Sequence, residues 1–137
     1  MQEGVRFFKL TETVASSPQI HAEDMAEIAA QGYKVVVNNR PDGEVPDQPT
    51  AESLREAAEA AGLEYHFYPV NAFNYPGDGL EEMKRLFADA ERPVLAFCRS
   101  GTRCANLWIS AQEDDNDREL ARDRAQRLGF DTSMSLT

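Results

Sequence analysis

The run Val35-Val36-Val37 constrains the fold of this 137-residue chain more than any other stretch. Three consecutive β-branched residues suit a strand covered on both faces, because each stiff side chain packs best on a pleated, buried surface. A half-solvated strand would show alternation instead. Pro93–Phe97 has the same character, and Glu64–Val70 forms a third strand with Tyr65 and Phe67 on one side.

Helical patterns separate these strands. Ala22–Gln31 repeats Met25, Ile28 and Ala29 at helical spacing and ends at Gly32. Ala51–Ala61 follows a Thr50 N-cap and ends at Gly62. Leu80–Ala90 puts Leu80, Met83, Leu86 and Phe87 on one face. Arg103–Gln112 does so with Leu107, Trp108 and Ala111, and Arg118–Leu128 closes the chain before Gly129. Near the start, Val5–Lys9 and Thr13–Ser16 pair as an antiparallel hairpin. The alternation predicts one α/β domain over residues 1–137, with a mainly parallel sheet of about four to five strands and helices on both faces. Two long loops remain, Asn39–Thr50 and Asn71–Gly79, and long loops tend to carry function.

Charge and cysteine content narrow the function. Fourteen Lys and Arg against 24 Asp and Glu leave a net charge of −10. Nucleic acid and anionic membranes both require a basic face, so neither is an expected partner. Two cysteines are too few for a secreted disulfide framework, and no zinc-ligand set is visible. No metal or other cofactor is expected. The apolar runs are far too short to span a bilayer, and no secretion signal is evident. The cytoplasm, with reduced thiols, is the expected compartment.

The chemistry lies in Cys98-Arg99-Ser100-Gly101-Thr102-Arg103-Cys104, between an apolar strand and a helix. Ligands of open α/β sheets bind at the carboxyl ends of strands, so the placement suits a site. A loop turning tightly into a helix points successive N–H groups inward and makes an anion cradle of residues Arg99, Ser100, Gly101, Thr102 and Arg103. Arg103 can clamp an oxyanion with two parallel donors. The helix N-terminus and the arginines favour thiolate over thiol, so Cys98 is expected to have a lowered pKa and to act as a nucleophile. Without that context, a strand-end cysteine reads as a small buried hydrophobe. The heptapeptide holds two arginines and no acid, which allows a local anion site on an acidic protein.

The chain resembles the phosphatase-like domain of the beta-lactamase-hydrolase-like proteins, relatives of the dual-specificity phosphatases. The carriers are Val36-Val37-Asn38-Asn39-Arg40-Pro41-Asp42-Gly43-Glu44, Tyr68-Pro69-Val70, and Phe97-Cys98-Arg99-Ser100-Gly101-Thr102-Arg103 running into Leu107-Trp108. The resemblance implies a dual-specificity-phosphatase-like fold, a Cys98 nucleophile and a small anionic or phosphorylated substrate. Arg40, ending a neighbouring strand, is either a second anion-binding group or a solvated loop arginine.

Several residues depart from the phosphatase pattern. Phe97 stands where phosphatases have His, and Arg103 lies five positions after Cys98 rather than six. That loop length resembles the active loop of rhodanese sulfurtransferases, where the cysteine carries a persulfide. Asn71 stands where a general acid is expected, leaving Asp78 as first replacement and Asp42 as second. Asp78 alternatively caps the following helix. Cys104 replaces the Ser or Thr that donates to the nucleophile, and a thiol is a weaker donor. Cys104 either packs as core or serves as a redox partner of Cys98. The first expectation is a phosphoric ester hydrolase. A sulfurtransferase is the alternative, and a non-catalytic anion- or redox-sensing module the third. His21 reads as part of a helix-start turn, His66 as a hydrogen-bonded structural histidine, Trp108 as core and Glu113–Asp117 as a solvated acidic turn.

Overall fold

The computed structural model describes residues 4–136. Its centre is a five-stranded sheet of β1 (Phe8–Lys9), β2 (Val14–Ser17), β3 (Val35–Asn38), β4 (Glu64–Phe67) and β5 (Val94–Phe97) in the order β1-β2-β5-β3-β4. β1 and β2 pair antiparallel, and every other pair is parallel. β5 lies between β2 and β3, so the carboxyl ends of all three open on one side.

The valine run behaves as its composition requires. Val35 and Val37 enter the core shared with α3 (Leu80–Ala88), α4 (Thr102–Ser110) and α5 (Asp115–Arg127). Val36 enters the opposite core, against α1 (Met25–Ala30) and α2 (Ala51–Ala60). All three are fully buried, and each such side chain contributes about 1.5–3 kcal/mol of hydrophobic stabilisation. β5 repeats the pattern, with Val94 and Ala96 on the first face and Leu95 and Phe97 on the second.

Element ends differ where side chains override pattern. The first strand shrinks to Phe8–Lys9 because the segment before it is tied to α1's end of the sheet. There the Val5 N–H donates to Glu27 Oε1 at 3.2 Å, and the Phe7 ring stacks on Tyr33 at 5.3 Å. The first helix begins as a 3-10 turn over Ala22–Asp24, in which the His21 N–H donates to Asp24 at 2.8 Å. β4 is regular only to Phe67, yet its pairing with β3 runs on: the Tyr68 N–H donates to Asn38 O at 2.9 Å and the Val70 N–H to Asn39 O at 3.0 Å, while Pro69 takes the position whose N–H would face the open edge of the sheet. The acidic turn is a helix start: Asp114 accepts from the Asp117 N–H at 2.8 Å, and Asp115 and Asp117 fill the first turn of α5. Carboxylates there face the positive end of the helix dipole. Thr50 caps α2 as expected, accepting from the Ser53 N–H at 3.1 Å.

Among the described residues, no helix is long and apolar enough to cross a membrane.

Candidate active site

β5 ends at Phe97 and delivers Cys98 to the open edge, where its N–H donates to Ser17 O on β2 at 3.3 Å. Cys98 is 1% exposed. The chain turns back through Gly101, at φ +91°, and enters α4 at Thr102. A side chain at 101 would be strained by that φ, and its Cβ would stand 3.3 Å from Phe130 and 3.4 Å from the Ser17 backbone. The turn aims the Gly101 N–H at Cys98 Sγ, 3.1 Å away. Arg99 and Ser100 face solvent, and Ser100 Oγ donates to Thr102 Oγ1 at 3.0 Å.

The Cys98 thiol is lowered from its ordinary range to about 6. The largest cause is the Cys104 thiol, which donates to the Cys98 sulfur and outweighs burial. The Cys104 N–H, the Arg103 charge and the Gly101 N–H act in the same direction. Cys104 is sealed in the core, and burial holds its own pKa well above the usual thiol value. The pair is therefore a thiolate and its thiol donor near neutral pH, and both cysteines are free. Of the two roles the sequence posed for Cys104, core packing is the one the structure places, and from the core its thiol also lowers the Cys98 pKa.

Arg103 is held by two elements. Its Nη1 donates to Val70 O at 2.9 Å and to Glu44 Oε2 at 2.8 Å, and its Nη2 to Glu44 Oε1 at 2.9 Å. Its Nε and the second Nη2 hydrogen have no partner among the described residues, which leaves one edge of the fork for an oxyanion. Glu44 Oε1 also accepts from Arg40 Nε at 2.8 Å. Arg40 is 4% exposed, and its Nη1 donates to Gln19 Oε1 at 2.9 Å. The solvated-loop alternative for Arg40 is thus wrong: one carboxylate draws Arg40 and Arg103 together. The two arginines hold Glu44 down to about 2, with Arg103 the larger influence. Sequence reasoning did not single out Glu44. Its only local signal is the i, i+4 spacing from Arg40, because Arg103 lies 59 residues away.

The acid candidates separate. Asn71 Oδ1 accepts from the Phe73 and Asn74 N–H groups at 2.8 and 3.1 Å, closing a turn. Asp42 Oδ1 accepts from the Ala51 N–H at 2.8 Å and so serves the start of α2. Asp78 is exposed and is not the cap of α3, since Gly79 holds that position without a side-chain bond. The capping alternative for Asp78 is therefore corrected. His66 bonds Glu64 and, at 3.3 Å, Tyr68, while Trp108 is core. Among the described residues, no group of three or more His, Cys, Asp or Glu could hold a metal ion.

The sequence model of the family described as "Beta-lactamase hydrolase-like protein, phosphatase-like domain" matches residues 6–114. That match ends at the N-cap of α5. A beta-lactamase hydrolase-like protein of Xylella fastidiosa (strain 9a5c) is 34% identical over 137 residues, covering 97% of this chain and 31% of the relative. The chain thus spans about three-tenths of that relative's length. A solved structure of a candidate phosphatase from Neisseria meningitidis Z2491 is 35% identical, with a TM-score of 0.73, covering 91% of this chain and 89% of the other. The structure of Tk-PTP in its active form has a TM-score of 0.71 at 19% identity, covering 99% and 93%. The fold is that of the dual-specificity phosphatases.

Proposed function

The chain belongs to the family of phosphatase-like domains of beta-lactamase hydrolase-like proteins, and on that premise we propose that it is a phosphoric ester hydrolase with Cys98 as nucleophile. One observation carries the reading: a thiol lowered to about 6 lies in the field of an Arg103 guanidinium that Glu44 and the Val70 carbonyl hold in place with one edge left unpaired among the described residues. The Cys98 thiolate attacks phosphorus, and the S–P bond forms as the ester P–O bond breaks. The loop amides of residues 99–103 and Arg103 hold the charged oxygens. The leaving oxygen takes its proton from Asp78 or from water. Water then attacks phosphorus, the S–P bond breaks, and phosphate leaves with the thiolate restored. With Asn71 at the usual acid position, esters whose oxygen leaves unprotonated are the best substrates.

A sulfurtransferase is the second reading, favoured by the five-position spacing of Cys98 and Arg103 and by the missing acid. Attack of the Cys98 thiolate on the outer sulfur of thiosulfate expels sulfite, which needs no proton. Cyanide then takes the sulfane sulfur from the Cys98 persulfide as thiocyanate and restores the thiolate.

The test assays an aryl phosphate beside thiosulfate plus cyanide, with Cys98→Ser as control. Phosphate release that the variant lacks supports the hydrolase, and cysteine-dependent thiocyanate formation supports the sulfurtransferase. If neither exceeds the variant, both readings fall and a sensing module without turnover remains.

A further inference from the structure

Arg40 does more than the Cys98 chemistry requires. It is almost wholly buried, yet its neighbours are one shared carboxylate and one neutral amide. Buried guanidinium groups are ordinarily paired in full, because desolvation of an unpaired cation is costly. Glu44 is shared between the two arginines that it binds; the Cys98 thiolate offsets part of the Arg103 charge, and Arg40 has no second carboxylate among the described residues. The Nη2 of Arg40 has no partner among the described residues. It is also absent from the sealed, unpaired atoms, which are Ser16 Oγ, Asn39 Oδ1 and Arg122 Nε. Arg40 Nη2 is therefore not sealed from solvent, although the residue as a whole is only 4% exposed.

The position of that nitrogen is fixed relative to the nucleophile's loop. Glu44 Oε1 accepts from both Arg40 Nε and Arg103 Nη2, which keeps those nitrogens within about 6 Å of each other. Gln19, which holds Arg40 Nη1, also donates its backbone N–H to Arg99 O at 3.2 Å, inside the Cys98 loop. Two guanidinium edges thus open at the same end of the sheet, hinged on one carboxylate.

We infer that Arg40 forms a second anion subsite beside the Cys98 loop, and that the ligand is a small molecule with two anionic groups joined by a short spacer. The inference rests on the reading that the Cys98 loop itself holds an anion. The reacting group lies against Cys98 and the free edge of Arg103, and the second group takes the Nη2 donors of Arg40. Both subsites are recessed, with Arg103 16% exposed, so the two groups sit on a short spacer.

Protection of Cys98 from iodoacetamide, read by mass spectrometry of its peptide, tests this without any turnover. The probes are methylphosphonate, a four-carbon bisphosphonate and a ten-carbon bisphosphonate. On the natural protein the four-carbon probe is expected to protect at about tenfold lower concentration than methylphosphonate. In Arg40→Gln, and separately in Gln19→Glu, which gives Arg40 a second carboxylate, that advantage is expected to shrink to about the twofold statistical factor. Retained protection by methylphosphonate shows that each variant is folded. An advantage of twofold or less on the natural protein overturns the subsite and leaves the Cys98 cradle standing. An advantage that survives both variants, or is as large for the ten-carbon probe, also overturns it, because diffuse charge would then suffice. If no probe protects, the cradle and the subsite fall together.

Discussion

Glu44 holds Arg103 end-on: both carboxylate oxygens accept from the terminal nitrogens, at 2.8 and 2.9 Å. This sets which edge of the guanidinium remains for a ligand. The Glu44→Gln substitution keeps the volume and removes the charge, so Arg103 loses its fixed plane. The KM for an aryl phosphate is expected to rise about tenfold with a smaller change in kcat, because the lost interaction orients a binding group. Glu44 keeps about a quarter of its surface in water, 26%. Screening therefore limits the stability loss to about 2 kcal/mol, below the cost of breaking a fully buried pair. The loss depends on pH. Glu44 is held at about 2 against an ordinary 4.5, so its stabilisation is complete above the higher value and disappears as pH falls toward the lower. Urea midpoints of the two proteins should differ at pH 7 and converge near pH 2. Equal midpoints at pH 7 would sink the argument.

Cys104 is the main reason that the Cys98 thiol titrates near 6. In Cys104→Ala the donor is gone, and the Cys98 pKa is expected to rise by at least one unit. At pH 6 the thiolate fraction would then fall from about one half to about one tenth. Alkylation of Cys98 should slow about fivefold at pH 6 and hardly at pH 9. Cys104→Ser supplies a stronger hydroxyl donor and should keep the low value. An unchanged pH profile in the alanine variant would assign the shift to the loop amides and Arg103 instead.

The parts of this molecule that could be read from sequence are those whose cause is local. The Val35–Val37 strand, the Thr50 cap and the Cys98–Arg103 turn each state their geometry within a few residues. The parts that could not be read depend on contacts between distant segments. Glu44 meets Arg103 across 59 residues, and Gln19 meets Arg40 across 21. The i, i+4 spacing of Arg40 and Glu44 is the one local hint, and it does not reach Arg103 or Gln19 until the sheet brings their loops to one edge. The α5 start was missed for a different reason. An acidic cluster reads as solvated turn, yet Asp114 and the carboxylates after it are good first-turn residues.

Gly101 carries both fold and site. Its φ of +91° disfavours any L side chain, and an added Cβ would press on Phe130 at 3.3 Å. Gly101→Ala is expected to cost about 2 kcal/mol in urea denaturation, the sum of a left-handed alanine and a tight contact. The same change tilts the N–H that meets Cys98 Sγ at 3.1 Å, so the thiol pKa should rise as well. A variant that loses stability while keeping the low Cys98 pKa would show that this amide is dispensable to the thiolate.

Asp78 is the one of the three acid candidates whose side chain no other bond engages among the described residues. Asp42 is committed to the Ala51 N–H, and Asn71 has no acid to give and is spent on its own turn. Asp78 makes no bond among the described residues and sits between Gly77, at φ +87°, and Gly79, on the Asn71–Gly79 loop that follows Val70, whose carbonyl receives Arg103. If it donates the proton, Asp78→Asn should slow hydrolysis of phenyl phosphate about a hundredfold and remove the alkaline limb of its rate profile. Dinitrophenyl phosphate should be nearly unaffected, because its phenolate leaves without a proton. Equal, small effects on both esters would assign the proton to water, and equal large effects would mean that the substitution damages the loop rather than the chemistry.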